Sequence, residues 1–194
     1  MSKVSRCARQ ALRLALILAL IPAFGWHSGR AADGSCFSVP RAPAGQVLDR
    51  LAAAYGPLSP IEGEVAAVGE TACRLERGGV ELVFAWAPGS VVFANGLPAC
   101  PQAIRPVTAG ARFWARIWLD AGGAAHLAEA VYCGGELLLT GVEGAELSGI
   151  APETGGLIRL TLSDGCLVPP LHPGQSVYVL LDLENRVRWL RVFS

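Results

Sequence analysis

A strictly alternating run of arginine and tryptophan is the most distinctive chemical feature of the sequence. Residues 112–120 read RFWARIWLD. Successive side chains of a strand point to opposite faces, so Arg112, Trp114, Arg116 and Trp118 share one face. Tryptophan and arginine are enriched where binding energy concentrates, and guanidinium groups can lie on indole rings. These four residues, called the Arg–Trp ladder below, are the candidate binding residues.

The Arg–Trp ladder has three explanations. In the first, another part of the chain covers it, either a second barrel or the N-terminal helix described below. In the second, the ladder is a protein–protein interface. In the third, it binds a glycan or another ligand on its flat indole rings. Exposed tryptophans lower solubility unless something covers them, so each explanation gives the face a partner.

Recognisable catalytic and metal-binding motifs are absent from the sequence. After residue 32 the histidines are His126 and His172, and neither has the spacing of a metal motif. The chain contains no G-x-S-x-G, H-E-x-x-H, Walker or G-x-G-x-x-G motif. We therefore predict no catalytic residue, no metal site and no cofactor. A nucleophilic Cys–His pair stays open, because such partners meet only in the folded chain.

The cysteines indicate a compartment more clearly than a function. Cys7 lies in the predicted export signal, which leaves Cys36, Cys73, Cys100, Cys133 and Cys166. No C-x-x-C motif occurs, which argues against a compact zinc site and a thioredoxin-type redox site. Disulfides persist outside the cytoplasm, so one or two structural bridges are expected. Because five is odd, at least one thiol is left over or pairs between chains.

The first thirty or so residues have the pattern of a secretory signal. Basic residues come first, and an uninterrupted apolar segment follows over residues 14–24. That segment is too short to cross the roughly 30 Å hydrocarbon core of a bilayer as a helix. Small residues suited to cleavage follow, and we place the cut near Ala31 or Ala32, with an uncleaved anchor as the alternative. We expect a periplasmic or secreted protein that meets the membrane only through its export signal.

Cleavage of the signal changes the net charge. The full chain has 16 basic and 16 acidic residues, and the segment up to Ala31 contains five of the basic residues and none of the acidic ones. The remaining 11 basic and 16 acidic residues give a formal net charge of about −5. An acidic domain lacks the electrostatic attraction to phosphate that drives nucleic-acid binding. We therefore predict no nucleic-acid partner.

Hydrophobic periodicity predicts one helix followed by many short strands. Residues 46–55 place apolar side chains on one helical face, and Gly56 ends the helix. From Ile61 onward, short β-rich runs alternate with glycine, proline and aspartate, which is typical of an all-β barrel or sandwich. The predicted strands cover residues 64–68, 73–76, 80–86, 91–94, 112–119, 125–133, 146–150, 157–162, 176–181 and 187–193.

The second series of strands resembles a repeat of the first, with residues 144–150 matched to residues 62–68. Cys100 and Cys166 each begin a proline-rich segment that ends in a glycine, and a strand ending in Leu-Asp follows each segment. We therefore predict two tandem small β-barrels joined at Gly134-Gly135. The predicted segments are the signal peptide at 1–32, an extended segment and short amphipathic helix at 33–60, the first β-barrel at 61–133 and the second at 141–194.

Two short motifs frame these barrels. Residues 63–68 read GEVAAV and match G-x-V-x-x-V, and residues 171–177 read LHPGQSV and match L-x-x-G-x-x-V. In this order, around a proline-containing segment, they resemble a group of exported bacterial domains of unknown function. The first copy keeps only Gly110 of the second motif, and the threonine that such domains often carry has no counterpart. The resemblance covers about two thirds of the chain. It implies an all-β fold of two tandem small OB-like β-barrels, and no shared catalytic residue.

These observations favour an exported, non-catalytic binding or assembly module with a protein or a glycan as its partner. OB-type barrels bind through an exposed sheet face and loops, although a fold alone does not fix a function. The alternative is a small extracytoplasmic hydrolase or thiol-dependent enzyme, which needs a cleft that joins His126 or His172 to a cysteine or a carboxylate. A purely structural spacer would instead bury Trp114 and Trp118 between the domains.

Overall fold

The structure, a computed structural model, describes residues 37–108 and 111–193. The predicted signal peptide, Cys7 and Cys36 lie outside the described residues. The described chain is mostly β and contains one α-helix, α1, and a short 3-10 helix. The elements are α1 Ala44–Tyr55, β1 Ser59–Val68, β2 Ala72–Arg77, β3 Val80–Ala94, β4 Leu97–Ala99, the 3-10 helix Pro101–Ile104, β5 Trp114–Leu119, β6 Ala124–Val131, β7 Cys133–Glu143, β8 Glu146–Ile150, β9 Leu157–Thr161, β10 Ser176–Leu181 and β11 Val187–Val192.

Strands β1 to β6 form a closed barrel, called the first barrel below. Their order is β2-β1-β5-β6-β3-β4, and β2 also pairs with β3, so five strands close into a ring. Closure leaves no long unpaired edge among those five strands. The long strand β3 allows this closure, because its first half pairs with β2 and its second half runs parallel to β6.

The sequence predicts two strands where the structure has the single strand β3. Between the predicted strands lie Pro88 and Gly89, and the pairing with β6 shifts register there. Gly89 has a φ of 80°, a left-handed conformation that favours glycine. The Ser90 hydroxyl donates a hydrogen bond to the Ala125 carbonyl at 2.8 Å and so ties the irregular turn to β6. The predicted break is therefore a bulge within one strand.

Strands β7 to β11 form the second sheet, in the order β11-β10-β7-β8-β9. Its two ends approach each other, because Leu162 forms a parallel bridge with Val187. The Ser163 amide also donates to the Val187 carbonyl at 2.8 Å. The two units have the same order of neighbouring strands. The equivalent strands, in chain order, are β7 to β1, β8 to β2, β9 to β3, β10 to β5 and β11 to β6.

The second sheet begins earlier than the repeat in the sequence indicates. Strand β7 starts at Cys133, so Gly134 and Gly135 lie within a strand rather than in a join between barrels. A Cβ atom added at Gly134 would overlap the Val179 carbonyl oxygen of β10. Glycine is required there because a neighbouring backbone approaches closely. Residues 146–150, matched to β1 from the sequence, form β8 and correspond to β2.

Helix α1 packs on the first barrel, as its apolar face predicts, and begins two residues before the predicted start. It ends at Gly56, which has a φ of 85° and whose amide donates to the Ala52 carbonyl. Its apolar side chains, among them Val47 and Leu51, contact a small buried cluster on the barrel. Within the residues described, no helix has both the length and the apolar character needed to cross a membrane.

Each unit has its own hydrophobic core. In the first barrel, Ile104 of the 3-10 helix is fully buried and closes the interior beside Leu75 and Ile117. In the second sheet, the buried face of β10 carries Val177 and Val179. The core of the second sheet also includes residues from outside it: Phe37, Val39 and Val131. The N-terminal segment and the first barrel therefore cover the second sheet.

Candidate functional site

Strand β5 places the two tryptophans of the Arg–Trp ladder against different parts of the chain. On its inner face, Ala115 and Ile117 are fully buried in the first barrel, as the alternation predicts. On the outer face, Trp118 is only 7% exposed, because helix α1 covers it. Trp114 packs instead against the core of the second sheet. Its indole nitrogen is buried and has no hydrogen-bond partner among the described residues.

Both arginines of the ladder form ion pairs with glutamates. Arg112 pairs with Glu76 of β2 at 2.7 Å. Arg116 pairs with Glu62 of β1 and also with Glu184, at 3.3 Å. Glu184 belongs to the turn between β10 and β11, so Arg116 links the first barrel to the second sheet.

A buried arginine of the second sheet completes this junction. The side chain of Arg188, on β11, is 2% exposed and donates to the Glu64 carboxylate of β1 at 2.8 Å. It also donates to the backbone carbonyl oxygens of Leu181 and Arg112. Burial lowers the pKa of Arg188, and the Glu64 carboxylate opposes that change. Buried charges need such partners, because an unpaired charge in a protein interior is very costly.

The Arg–Trp ladder is therefore engaged within the chain, which matches the first of its three explanations. Helix α1 covers one end and the second sheet covers the other. The binding of an external ligand by Arg112, Trp114, Arg116 and Trp118 stays a prediction. Such a ligand would have to displace contacts within the first barrel and between it and the second sheet.

An open cleft lies next to this junction, between the first barrel and the second sheet. Its volume is about 240 Å³. The first barrel contributes Tyr132 and the pair Thr108 and Ala111 to its wall. The second sheet contributes the side chains of Tyr178, Trp189, Arg191 and Phe193. We call this the aromatic cleft, because four of its seven lining residues are aromatic. Binding pockets occur preferentially between domains.

Strand geometry fixes the rings of the second sheet in place. Val177 and Val179 point into the core, so Tyr178 between them points out of it. Arg191 lies opposite Tyr178 in the antiparallel pair, and the Phe193 amide bonds the Ser176 carbonyl at 2.9 Å. The rings of Tyr178 and Trp189 pack edge to face, with centroids 6.5 Å apart.

Tyr132 joins the two halves of the aromatic cleft. Its amide donates to the Asn95 side chain at 2.7 Å, which fixes the backbone where β6 leads into β7. Its ring packs on Phe113 with a centroid distance of 5.6 Å. Its hydroxyl forms a hydrogen bond with that of Tyr178. Burial, together with Tyr132, raises the pKa of Tyr178.

Sequence reasoning missed the aromatic cleft, although part of its signal is present. Trp189, Arg191 and Phe193 alternate along one strand, as the residues of the Arg–Trp ladder do. The two tyrosines lie on other elements and come together with these three only in the fold. Arg191 and Phe193 are exposed, with Phe193 at 46%, whereas Trp118 of the ladder is buried. The alternation at Trp189, Arg191 and Phe193, which is shorter than the Arg–Trp ladder, is therefore the one that remains more accessible to solvent.

The two histidines have different surroundings. His126 is 4% exposed and bonds the Asp120 carboxylate at 2.8 Å. Its ring also packs on Tyr55 of helix α1, with centroids 4.1 Å apart. The hydrogen bond from His126 lowers the pKa of Asp120. His172 lies in an exposed loop of the second sheet, so the two histidines belong to different units.

The buried Cys73 and the partly buried Cys166 have less acidic thiols. Burial raises the pKa of the Cys73 thiol to about 12 and also raises the pKa of Cys166. A nucleophilic cysteine needs the opposite shift, because the thiolate is the reactive form. No disulfide joins Cys73, Cys100, Cys133 and Cys166 to one another, so the expected bridges are not found among these four. Cys133 contacts the Ser38 carbonyl through its sulfur at 3.4 Å.

Comparisons with known proteins leave the chain without an assigned family. No family model matches it, and a search of curated proteins finds no match. Within residues 37–108 and 111–193, no group of three or more His, Cys, Asp or Glu side chains is placed to hold a metal ion.

Proposed function

We propose that the protein is an exported, non-catalytic binding module, built from two tandem OB-like barrels, that binds an extended proline-containing segment of a protein. The aromatic cleft carries this proposal. Its described lining presents four aromatic rings and one charged side chain, that of Arg191, at the boundary between the first barrel and the second sheet. An open surface of this composition is where binding energy concentrates in protein complexes.

The chemistry of the aromatic cleft suits proline in particular. Aromatic-lined grooves are a recurring mode of recognition for proline-rich peptides, which enter as a preformed polyproline II helix. That helix has no internal hydrogen bonds, so its carbonyl oxygens are free to accept from Tyr132, Tyr178 or Trp189. Proline lacks an N–H donor and therefore leaves few polar groups that an apolar cleft must satisfy.

A glycan is less suited to the aromatic cleft. A sugar ring carries hydroxyl groups around its edge, and each one that is buried needs a hydrogen-bond partner. The polar groups of the described lining are few: the Thr108 hydroxyl, the Arg191 guanidinium, the Trp189 indole N–H and the two tyrosine hydroxyls. A protein segment is the partner that this lining favours.

The architecture supports the tandem part of the proposal. Both units use the same order of strands. In the first barrel β3 runs parallel to β6, and in the second sheet Leu162, just after β9, forms a parallel bridge with Val187 of β11. The first barrel has the five closed strands of a small OB-type barrel, and the second sheet approaches closure through the bridge at Leu162 and Val187. Export is supported by the basic and apolar N-terminal pattern alone.

An enzymatic role has less support. The alternative needs a histidine or a carboxylate beside a reactive cysteine in a cleft. The aromatic cleft contains no histidine, no cysteine and no carboxylate among its described lining residues. His126 is buried under helix α1, where a substrate would first have to displace Tyr55.

Affinity selection from a displayed random-peptide library tests the proposal, with a glycan array run beside it. We expect selected peptides to contain adjacent prolines flanked by apolar residues. Phe193→Ala should lower the affinity for a selected peptide about tenfold or more, because the exposed ring loses its contact with proline. Val83→Ala serves as the matched control, since Val83 is 69% exposed and lies on the first barrel.

The outcomes separate the alternatives. Peptide binding that Phe193→Ala abolishes and Val83→Ala preserves supports the proposal. Binding of glycans without peptides would assign the aromatic cleft to the other class of partner. If neither class binds, or if Phe193→Ala has no effect, the cleft is not the binding face.

A further inference from the structure

The same chain presents a segment with the chemistry that the aromatic cleft is proposed to bind. The loop between β9 and β10, residues 163–175, contains the sequence LVPPL at 167–171. Leu167 is 92% exposed and Val168 is 36% exposed. Pro169 and Pro170 are exposed as well. We call residues 163–175 the proline loop. Exposed apolar side chains in this number mark interaction sites on soluble proteins.

The proline loop is anchored at both ends, and Leu171 packs against the core of the second sheet, whereas residues 167–170 are exposed. At its start, the Cys166 amide donates to Ser163, which is itself bonded to Val187. At its end, the Gly174 amide donates to the Leu139 carbonyl at 2.8 Å. Among the described residues, the backbone of 167–171 makes no hydrogen bond. Two adjacent prolines fix their own φ angles and push the preceding residue into an extended conformation.

A stiff, extended segment of this kind is preorganised for binding. Little conformational entropy remains to be lost when it docks, and its free carbonyl oxygens can accept hydrogen bonds. Within one chain the segment does not occupy the aromatic cleft, because none of the residues described as lining the cleft belongs to the proline loop. The cleft of one copy is therefore open to the proline loop of a second copy.

The charges of the two surfaces are complementary. The only charged side chain among the described lining residues of the aromatic cleft is the exposed Arg191 guanidinium. The proline loop carries one acidic residue, the exposed Asp164, and no basic residue other than His172. A second copy could thus bring a carboxylate toward Arg191 as its apolar segment enters. Such pairs favour correct encounters more than they add affinity.

We propose that the proline loop of one copy docks in the aromatic cleft of a second copy. This inference rests on the proposed function of the cleft and names its partner. The contact is heterologous, because the two copies use different surfaces, so a bound pair still has one free loop on one copy and one free cleft on the other. Association then proceeds head to tail, into a ring if the rotation closes and into an open chain if it does not.

Sedimentation velocity over a wide concentration range tests this inference on the exported protein, purified from cells that express the full chain. We expect the weight-average mass to rise with concentration. Leu167→Ser should weaken self-association about tenfold or more, because it removes the most exposed apolar side chain of the loop. Phe193→Ala combined with Arg191→Glu should do the same from the cleft side. Val83→Ser is the matched surface control and should associate like the parent.

Mixing the two variants is the sharpest part of the test. The loop variant keeps an intact cleft, and the cleft variant keeps an intact loop, so an equimolar mixture should form a dimer that neither forms alone. Circular dichroism on each variant, with Pro170→Ser as a second loop variant, confirms that a lost interaction is not a lost fold. Self-association that survives in both variants, or a mixture that stays monomeric, would overturn the inference.

Failure of the inference and failure of the proposed function give different results. A parent protein that remains monomeric at every concentration, yet binds displayed proline peptides through Phe193, overturns only the second-copy partner. A protein that remains monomeric and does not bind those peptides overturns both the second-copy inference and the proposed peptide-binding function.

Discussion

Replacing Arg188 tests how the first barrel and the second sheet are held together. Arg188→Met removes the guanidinium group while keeping much of the side-chain volume. The variant leaves the Glu64 carboxylate, 25% exposed in its side chain, without its partner. It also removes the donor that bonds the carbonyl oxygens of Leu181 and Arg112. The perturbation therefore acts on both units and on the contact between them.

The expected loss of unfolding free energy is about 3–5 kcal/mol. That is the usual result of removing one partner of a buried ion pair, because the other charge stays buried without compensation. Each acceptor left without a donor costs about 1–3 kcal/mol in other proteins. These contributions overlap, since one side chain supplies all three bonds, so they are not added. A loss of this size is a large share of the roughly 5–15 kcal/mol that stabilises a typical domain.

Urea unfolding followed by circular dichroism measures this loss. The matched control is Arg74→Met, because Arg74 pairs with Glu81 at 3.3 Å while both side chains are about half exposed. We expect the control to cost about 0–1 kcal/mol. Adding Glu64→Leu to Arg188→Met should recover part of the loss, because no charge is then left unpaired. The reasoning is refuted if Arg188→Met costs no more than Arg74→Met.

Three further predictions follow from the packing and from one titrating group. Gly134→Ala should lower the melting temperature by roughly 2–12 °C, whereas Gly141→Ala, whose added Cβ would meet only ordinary contacts, should leave it nearly unchanged. Trp118→Ala should cost about 3–5 kcal/mol in urea unfolding, and a cost near zero would show that helix α1 does not cover this side chain. The hydrogen bond from His126 lowers the pKa of Asp120 below its ordinary 3.8, so its stabilising contribution is present above that value and is lost as pH falls through the lowered value. Thermal melts of the parent and Asp120→Asn from neutral to strongly acidic pH check this, and parallel curves would contradict it.

The apolar faces of β5 and helix α1 were predicted correctly from the sequence. The alternation around Ala115 and Ile117 indicated the inner face of β5, and both side chains are buried. The apolar face of helix α1 was predicted in the same way. Strand β7 was missed because the adjacent glycines Gly134 and Gly135 are typical of a turn or linker. Its glycine at position 134 is needed for close packing against Val179, a contact that no local pattern encodes.

What covers a face could not be predicted from the sequence. The pattern of β5 showed that Arg116 and Trp114 share a side, but their partners come from distant positions. Glu184 bonds Arg116 across 68 residues of sequence, and Arg188 bonds the Arg112 carbonyl across 76. The aromatic cleft had the same difficulty, because its rings are assembled from β10, β11 and the end of β6. Such assemblies depend on how two units pack, which strand periodicity does not specify.

A titration with hexaproline, followed by NMR, tests the central claim most directly. The indole N–H resonances distinguish the aromatic cleft from the Arg–Trp ladder, because Trp189 lies in the cleft whereas Trp114 and Trp118 lie in the ladder. We predict saturable shifts at Trp189 and at the amides of Arg191 and Phe193, with the two ladder tryptophans unchanged. Shifts confined to Trp114 and Trp118, or no saturable shift at Trp189, would contradict the assignment of the binding face.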